Sequence, residues 1–185
     1  MTAASGLVFP LAGLLAETAG AVRRFEVEDA AIDLDDELVL AAPIHADVEV
    51  ARTNRGLFID AAVETVLAME CSRCLAPAMV PLATRIREEV LPAIDVATGQ
   101  ALDRTLEPDT ARLTDHHGLD LEPLLREAIL LSAPIAPLCR ADCPGLCIEC
   151  GERLGPGHRT HDGDDIDPRL AALRSFRVDG DADSE

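Results

Sequence analysis

Two C-x-x-C pairs, far apart in the sequence, constrain this chain more than any other feature. They are Cys71-Ser-Arg-Cys74 and Cys147-Ile-Glu-Cys150. This spacing lets two thiolates from one tight turn bind one metal ion, and two such turns can complete a closed tetrahedral zinc site. Gly151 follows the second pair, where a glycine permits the positive φ that aims backbone N–H groups at the sulfurs. The sequence therefore predicts one structural Zn²⁺ per chain, with the ligands Cys71, Cys74, Cys147 and Cys150.

Two other ligand sets remain open, because the second pair ends a dense run of cysteines that begins with Cys139 and Cys143. A local site would use the four cysteines of this run and would leave the first pair free. A third set joins the second pair to His158 and His161. Only seven residues separate Cys150 from His158, which is few for a zinc-finger helix.

The composition limits the class of protein and its compartment. The chain has 185 residues, enough for one domain with a small appended module. The apolar stretch at residues 7–16 is short, lacks a basic flank and is interrupted by Pro10, which is atypical of a signal peptide. Six cysteines without an export signal favour reduced thiols or metal ligands over a disulfide framework. We therefore expect a cytoplasmic protein without a membrane segment.

The charge of the chain bears on its partners. The sequence has 34 acidic and 16 basic residues, and its formal net charge is −18. Because neutralisation of phosphates dominates affinity for nucleic acids, direct RNA binding is disfavoured. The chain also has no Trp or Tyr and only four Phe, too few for a platform on which bases stack. An acidic surface instead favours a basic protein as the partner.

Period-two alternation of apolar and polar residues predicts three consecutive strands within residues 46–50, 59–69 and 80–90. Asn54-Arg55-Gly56 supplies a turn between the first two strands. The first C-x-x-C pair then lies at the tip that joins the second strand to the third. We expect an antiparallel sheet or open barrel over about residues 38–91. The N-terminal quarter is predicted to be irregular, apart from one or two helical turns at Leu11, Leu14 and Leu15.

The remainder of the chain predicts helices and loops around this sheet. Residues 95–118 lack periodicity and are interpreted as a mobile loop. A leucine-rich stripe at helical spacing predicts a helix over residues 120–132, with Asp120 as its cap and Pro123 in its first turn. A short helix is predicted from Asp167-Pro168, before an acidic tail. The expected fold is α+β, with a β-rich core and flanking helices over residues 1–135 and a zinc-stabilised, cysteine-rich module over 136–185.

Three motifs resemble those of a known family. They are Cys71-x-x-Cys74-Leu75, Cys143-Pro-Gly-Leu-Cys147-x-x-Cys150-Gly151 and Ile166-Asp-Pro-Arg169-Leu170. With these motifs the chain resembles, over most of its length, the large ribosomal RNA subunit accumulation protein (YceD) family. It departs from the family pattern after Gly151. Where many members have Asn after the leucine and a further cysteine pair, this chain has Leu154-Gly155 and the histidines His158 and His161.

The resemblance implies a non-enzymatic factor for the synthesis, processing or accumulation of large-subunit ribosomal RNA. Together with the negative charge, it predicts a basic ribosomal protein or assembly factor as the partner. The sequence carries no catalytic motif of the phosphate-loop, serine-hydrolase or zinc-protease kind. An alternative is a thiol oxidoreductase or redox switch that uses the C-x-x-C pairs. A hairpin tip is not the βαβ context of thioredoxin-like enzymes, which weighs against this alternative.

Overall fold

The computed structural model of the chain describes residues 6–34, 38–103, 105, 107–159, 161 and 169–170. Within them the chain forms seven strands and two helices. In chain order these are β1 (Val8–Pro10), α1 (Ala12–Leu15), β2 (Val22–Ala30), β3 (Val39–Leu40), β4 (Ile44–Arg52), β5 (Leu57–Glu70), β6 (Pro77–Val90), β7 (Gly118–Asp120) and α2 (Glu122–Ser132). Antiparallel sheets with flanking helices confirm the predicted α+β class, and the sheets are open.

The long hairpin β5–β6 is the centre of the main sheet. β6 pairs antiparallel with the whole of β5, from Leu57 opposite Val90 to Glu70 opposite Pro77. β4 pairs antiparallel with the other edge of β5, β2 pairs with β4, and the short β3 pairs with β5 near its end. β1 and β7 form a separate two-stranded sheet. The three predicted strands and their antiparallel pairing are therefore confirmed.

Alternation along the strands places one face of the sheet in the core. On β5, Ile59, Ala61 and Val63 are fully buried, whereas the residues between them are at least partly exposed. Helix α2 packs against β6 and buries Leu125 and Ile129. The predicted helix is present, but it begins at Glu122 instead of residue 120, and its N-cap is Leu121, without a side-chain cap. Asp120, the predicted cap, lies in β7 and accepts a hydrogen bond from the Glu122 N–H (3.1 Å). Burial of these apolar side chains is the main favourable contribution to folding.

The structure differs from the sequence predictions in the N-terminal quarter. Residues 22–30 were expected to be irregular, but they form β2, and Phe25 lies opposite Val48 of β4. Most residues of β2 are exposed, because β2 is an edge strand, and its many charges hide the alternation of Phe25 with Val27. The described residues of 95–117 form no helix or strand. They contain turns, bends and two residues in isolated β-bridges, Ala101 and Arg112. The predicted helix from Asp167 and the acidic tail lie outside the described residues, except for Arg169 and Leu170.

The chain divides into two compact units, Met1–Cys143 and Pro144–Glu185. The first unit contains both sheets, both helices and the hydrophobic core. In the second unit, no Leu, Ile, Val or Phe side chain is buried among the described residues. The domain division predicted from the sequence, between residues 135 and 136, stays a prediction. No helix in the described part of the chain is long and apolar enough to span a membrane.

Candidate metal centres

The six cysteines lie in two groups, one in each unit, and each group has four ligand atoms within 4.8 Å of one another. The first, called here the thiolate group, contains Cys71, Cys74, Cys139 and Cys143. The second, called here the mixed group, contains Cys147, Cys150, His158 and His161.

The two groups divide the predicted ligand set. All four predicted ligands belong to a candidate metal site, but the structure gives Cys71 and Cys74 different partners from Cys147 and Cys150. The structure also divides the local alternative ligand set, because Cys139 and Cys143 lie in the first group and Cys147 and Cys150 in the second. The third alternative, the second C-x-x-C pair with two histidines, has the same members as the mixed group. Metal binding itself stays a prediction for both groups.

The first C-x-x-C pair forms a tight turn at the tip of the β5–β6 hairpin. The Leu75 N–H donates to the Cys71 carbonyl (2.9 Å), and the Cys71 N–H donates to the Ala76 carbonyl (2.8 Å). Leu75 has a φ of 56°, in the left-handed region that leucine rarely adopts. The last paired residues before this turn are Glu70 and Pro77. The hairpin thus fixes the turn from both sides.

The segment that follows α2 is bound to this turn by hydrogen bonds. Both the backbone N–H and the hydroxyl of Ser72 donate to the Pro137 carbonyl, at 2.8 and 3.1 Å. The Arg73 guanidinium donates to the Cys143 carbonyl at 2.9 Å. These contacts bring Cys139 and Cys143 to the hairpin tip, and they explain why the first unit extends to residue 143.

Two of the sulfur–sulfur distances in the thiolate group match those of a tetrahedral zinc site, and all four sulfurs lie within 4.8 Å of one another. Zn–S bonds of about 2.3 Å in a regular tetrahedron place the sulfurs about 3.8 Å apart. The Cys71 and Cys143 sulfurs are 3.8 Å apart, and the Cys74 and Cys139 sulfurs are 3.7 Å apart. Cys71, Cys74 and Cys143 are buried, and Cys139 is exposed. The arrangement suits a closed structural site with one ligand at the surface.

The crowded thiols of this group have pKa values that move in opposite directions. A hydrogen bond from the backbone of Cys139 makes the largest contribution to lowering the pKa of Cys71 to about 6, and the backbone of Arg73 and Cys74 adds to it. The pKa of Cys139 is raised to about 12, mainly by its hydrogen bonds with the Cys143 and Cys74 sulfurs. The backbone is therefore arranged to stabilise a thiolate at Cys71, the most deeply buried of these sulfurs.

The second C-x-x-C pair forms a turn with the same hydrogen bonds as the first. The Gly151 N–H donates to the Cys147 carbonyl (2.9 Å), and the Cys147 N–H donates to the Glu152 carbonyl (2.7 Å). Leu146 and Arg153 pair antiparallel on either side of the turn. Gly151 has a φ of 73°, as the sequence predicted for a glycine at this position.

Two histidines complete the mixed group. The His158 Nε2 lies 3.2 Å from the Cys150 sulfur, and the rings of His158 and His161 have centroids 5.1 Å apart. The His161 Nδ1 lies 3.5 Å from a carboxylate oxygen of Glu149. Hydrogen bonds from the backbone of Cys150 and Glu149 lower the pKa of Cys147. Cys150 is exposed and Cys147 is half-buried, so this group is more open to solvent than the thiolate group.

Sequence reasoning missed that Cys139 and Cys143 join the first C-x-x-C pair. Their C-x₃-C spacing is compatible with zinc ligation but does not show which other cysteines they face. Their approach to the hairpin tip is set by α2 and by the Pro137 contact. One signal was available in the sequence. Pro144 directly follows Cys143 and separates it from the second pair. The second pair has two histidines shortly after it, so it could complete a site without Cys139 and Cys143.

Comparisons with known proteins agree with the three motifs. Residues 59–177 match the family model described as Large ribosomal RNA subunit accumulation protein YceD. An uncharacterized protein of Mycobacterium tuberculosis and one of Mycobacterium bovis are each 36% identical over 135 residues, 71% of this chain and 61% of the relative. An uncharacterized protein of Mycobacterium leprae is 34% identical over 137 residues, 71% of this chain and 58% of the relative.

The chain thus spans about three-fifths of the length of these mycobacterial relatives. No solved structure gives a significant match. The family model covers well over half of the chain, and its range includes every member of the thiolate and mixed groups. This chain belongs to the large ribosomal RNA subunit accumulation protein (YceD) family.

Proposed function

We propose that this protein is a cytoplasmic, non-enzymatic factor required for the accumulation of large-subunit ribosomal RNA, through its synthesis, processing or assembly. The observation that carries the proposal is the family match over residues 59–177. In cells that express this protein, its depletion should lower the ratio of large-subunit to small-subunit ribosomal RNA. An unchanged ratio after complete depletion would contradict the proposal.

We further propose that the thiolate group holds a structural Zn²⁺, which joins the β5–β6 hairpin tip to the segment after α2. Four clustered sulfurs, from three buried cysteines and one exposed cysteine, suit zinc better than a hard cation that prefers oxygen ligands. Four thiolates and one Zn²⁺ carry a net charge of −2, and the adjacent Arg73 offsets part of it. Loss of any one ligand leaves an open position in the tetrahedron.

Two serine substitutions test this zinc site. Cys71→Ser and Cys139→Ser should each lose the same one equivalent of zinc, because both residues belong to one tetrahedron. Elemental analysis of freshly purified, reduced protein measures the loss, and Met79→Ser, at an exposed position of the same hairpin, serves as a control that keeps all four thiols. If Cys71→Ser loses zinc while Cys139→Ser keeps it, Cys139 is not a ligand of this site.

A thiol redox role is the second candidate, since the lowered pKa of Cys71 would favour a reactive thiolate. Its burial argues against this role, because the Cys71 side chain has no exposed surface for a substrate disulfide to reach. Alkylation of the reduced, zinc-loaded protein separates the two. A structural site predicts no rapid modification of Cys71, and rapid modification of Cys71 would favour the redox role.

We propose that the partner is a basic protein that binds the exposed face of the main sheet. Glu26 of β2 lies directly opposite Asp47 of β4, and Glu49 of β4 lies directly opposite Asp60 of β5. Like charges at directly opposed positions destabilise a sheet. Arginines contact Glu49 and Asp60, but the structure places no arginine within salt-bridge distance of Glu26 or Asp47 among the described residues. A cationic partner would relieve this repulsion.

Affinity purification from native cells, with and without nuclease, tests the proposed partner. Basic ribosomal proteins or assembly factors should remain bound after nuclease treatment. Their retention should fall in the double variant Glu26→Gln with Asp47→Asn. Asp109→Asn with Glu127→Gln removes the same charge from exposed positions outside the sheet, and it should retain them. Loss of all partners after nuclease would instead indicate that binding depends on RNA.

A further inference from the structure

We propose that the mixed group is a second metal site, in which Cys147, Cys150, His158 and His161 bind one Zn²⁺ ion. Each chain would then hold two zinc ions of different coordination, four sulfurs in one and two sulfurs with two nitrogens in the other. The proposal rests on the residues of the second unit alone and is independent of the role in ribosomal RNA accumulation.

The first argument is the geometry of the four donors. One ligand atom from each lies within 4.8 Å of the others, and the His158 Nε2 is directed at the Cys150 sulfur at 3.2 Å. Two cysteines from a tight turn with two histidines are a common zinc ligand set.

The second argument is the contact between Glu149 and His161. Histidines that bind a metal through one ring nitrogen usually donate the N–H of the other nitrogen to a carboxylate or carbonyl. The Glu149 carboxylate lies 3.5 Å from the Nδ1 of His161, within reach of such a contact if Nε2 binds the metal. Glu149 lies between the two cysteines of the turn, so the turn that presents the sulfurs also orients this histidine.

The third argument is the absence of an apolar core in the described part of this unit. Its two half-buried leucines are Leu146 and Leu154, and Ile148 is fully exposed. A segment this short cannot bury enough apolar surface to offset its conformational entropy. Even so, the structure gives it a defined turn, a β-bridge and the bond from the Leu154 N–H to the Gly145 carbonyl (3.0 Å). A structural metal supplies the missing folding free energy.

The chemistry of the mixed group favours zinc over other cations. Two thiolates and two neutral imidazoles with Zn²⁺ are neutral overall, so the site suits an exposed position without a compensating arginine. Oxygen-seeking cations such as Mg²⁺ and Ca²⁺ are disfavoured by sulfur and nitrogen donors.

The metal content of full-length variants tests the proposal. The chain, purified under reducing conditions and reconstituted with excess Zn²⁺, should retain about two zinc ions after free metal is removed. Cys150→Ser and His158→Ala should each lose half of this zinc. His116→Ala, which removes a histidine outside both groups, should lose none. If His158→Ala and Cys150→Ser both retain the zinc content of the unchanged chain, the proposal is wrong.

A variant that keeps the site intact guards against loss of zinc through misfolding. His158→Cys retains four ligands but exchanges one nitrogen for a sulfur, so its zinc content should equal that of the unchanged chain. After replacement of Zn²⁺ by Co²⁺, the thiolate-to-cobalt absorption should increase by about one sixth, from six coordinating sulfurs to seven. An identical cobalt spectrum in His158→Cys would show that residue 158 does not coordinate and would overturn the assignment.

The two zinc sites fail independently in these experiments. Loss of one zinc in His158→Ala, with none lost in Cys71→Ser or Cys139→Ser, would support the mixed site and contradict the thiolate site. The reverse result would support the thiolate site and overturn the mixed one.

Discussion

The two C-x-x-C turns have the same backbone but different surroundings. In each, the residue after the second cysteine has a positive φ and donates to the carbonyl of the first cysteine at 2.9 Å. In each, antiparallel partners flank the turn, Glu70 with Pro77 and Leu146 with Arg153. The turn is therefore a local structure of six residues, 71–76 in the first unit and 147–152 in the second. What differs is the structure that supplies the other two ligands.

This difference determines what a metal would do in each unit. The first unit has a large apolar core, so its sheet has a source of stability apart from the cysteines. The described part of the second unit buries no large apolar side chain. Structural zinc in finger peptides contributes about 10–16 kcal/mol at neutral pH, which is enough to fold a small module. Metal should therefore be accessory in the first unit and indispensable in the second.

Chelation should give the largest effect. When a strong chelator removes metal from reduced protein, the amides of Gly151 and Leu154 should lose their protection from hydrogen exchange, because their bonds depend on the turn. The amides of β5 and β6 should keep most of theirs. Hydrogen exchange with mass spectrometry resolves these peptides in one sample. Equal loss of protection in both units would break the comparison.

Removal of an isoleucine side chain should show the opposite asymmetry. Ile129 on α2 is fully buried, and Ile129→Ala should destabilise the first unit by about 2–5 kcal/mol through lost burial and a cavity. Ile148, between the cysteines of the second pair, is fully exposed, and Ile148→Ala should change stability by less than about 0.5 kcal/mol. Denaturant unfolding measures both variants of the zinc-loaded chain.

The substitution Ile148→Ala also serves as a check on the absence of a core. If it costs as much as Ile129→Ala, then Ile148 is covered in solution and the second unit has apolar packing. Part of that unit would then fold without metal.

The main sheet could be predicted because its pattern is local. Alternation along β4, β5 and β6 reports which face is buried, and the Asn54-Arg55-Gly56 turn fixes the first hairpin. Helix α2 was equally clear from its leucine stripe. β2 was missed because an edge strand buries only part of one face, so its pattern is weak. Each of these outcomes follows from how much apolar surface a segment buries.

The candidate sites were less predictable, since ligand partnership depends on tertiary structure. Each C-x-x-C turn could be recognised from its spacing. That the first turn faces Cys139 and Cys143 depends on where α2 ends and on the bonds from Ser72 to Pro137, which no spacing rule contains. The mixed group is more local, and its histidines lie within eleven residues of Cys150. Its four members could therefore be predicted from the sequence as one of three possible ligand sets.

Effects smaller than those of chelation or of Ile129→Ala should come from the one position at which the two turns differ in backbone strain. The first turn has leucine at the positive-φ position, with Leu75 at 56°, and the second has glycine, with Gly151 at 73°. A residue with a side chain pays about 1–2 kcal/mol of strain in this conformation. Glycine avoids this strain, but it loses about 0.5–1 kcal/mol more conformational entropy on folding, so it gains only part of the difference. Reciprocal substitutions should therefore have opposite signs.

Leu75→Gly should stabilise the first turn by less than about 1 kcal/mol, because the Leu75 side chain is 60% exposed and loses little burial. Gly151→Ala should destabilise the second turn by about 1 kcal/mol through its conformation alone, since no atom lies within 4 Å of the added carbon. Because turn stability is linked to metal affinity, a change of about 1 kcal/mol shifts the zinc dissociation constant about five-fold.

Competition with a chromophoric chelator can resolve that five-fold shift. Tighter zinc in Leu75→Gly with weaker zinc in Gly151→Ala would sharpen the comparison, whereas shifts of the same sign would mean that the two turns do not present their thiolates in the same way.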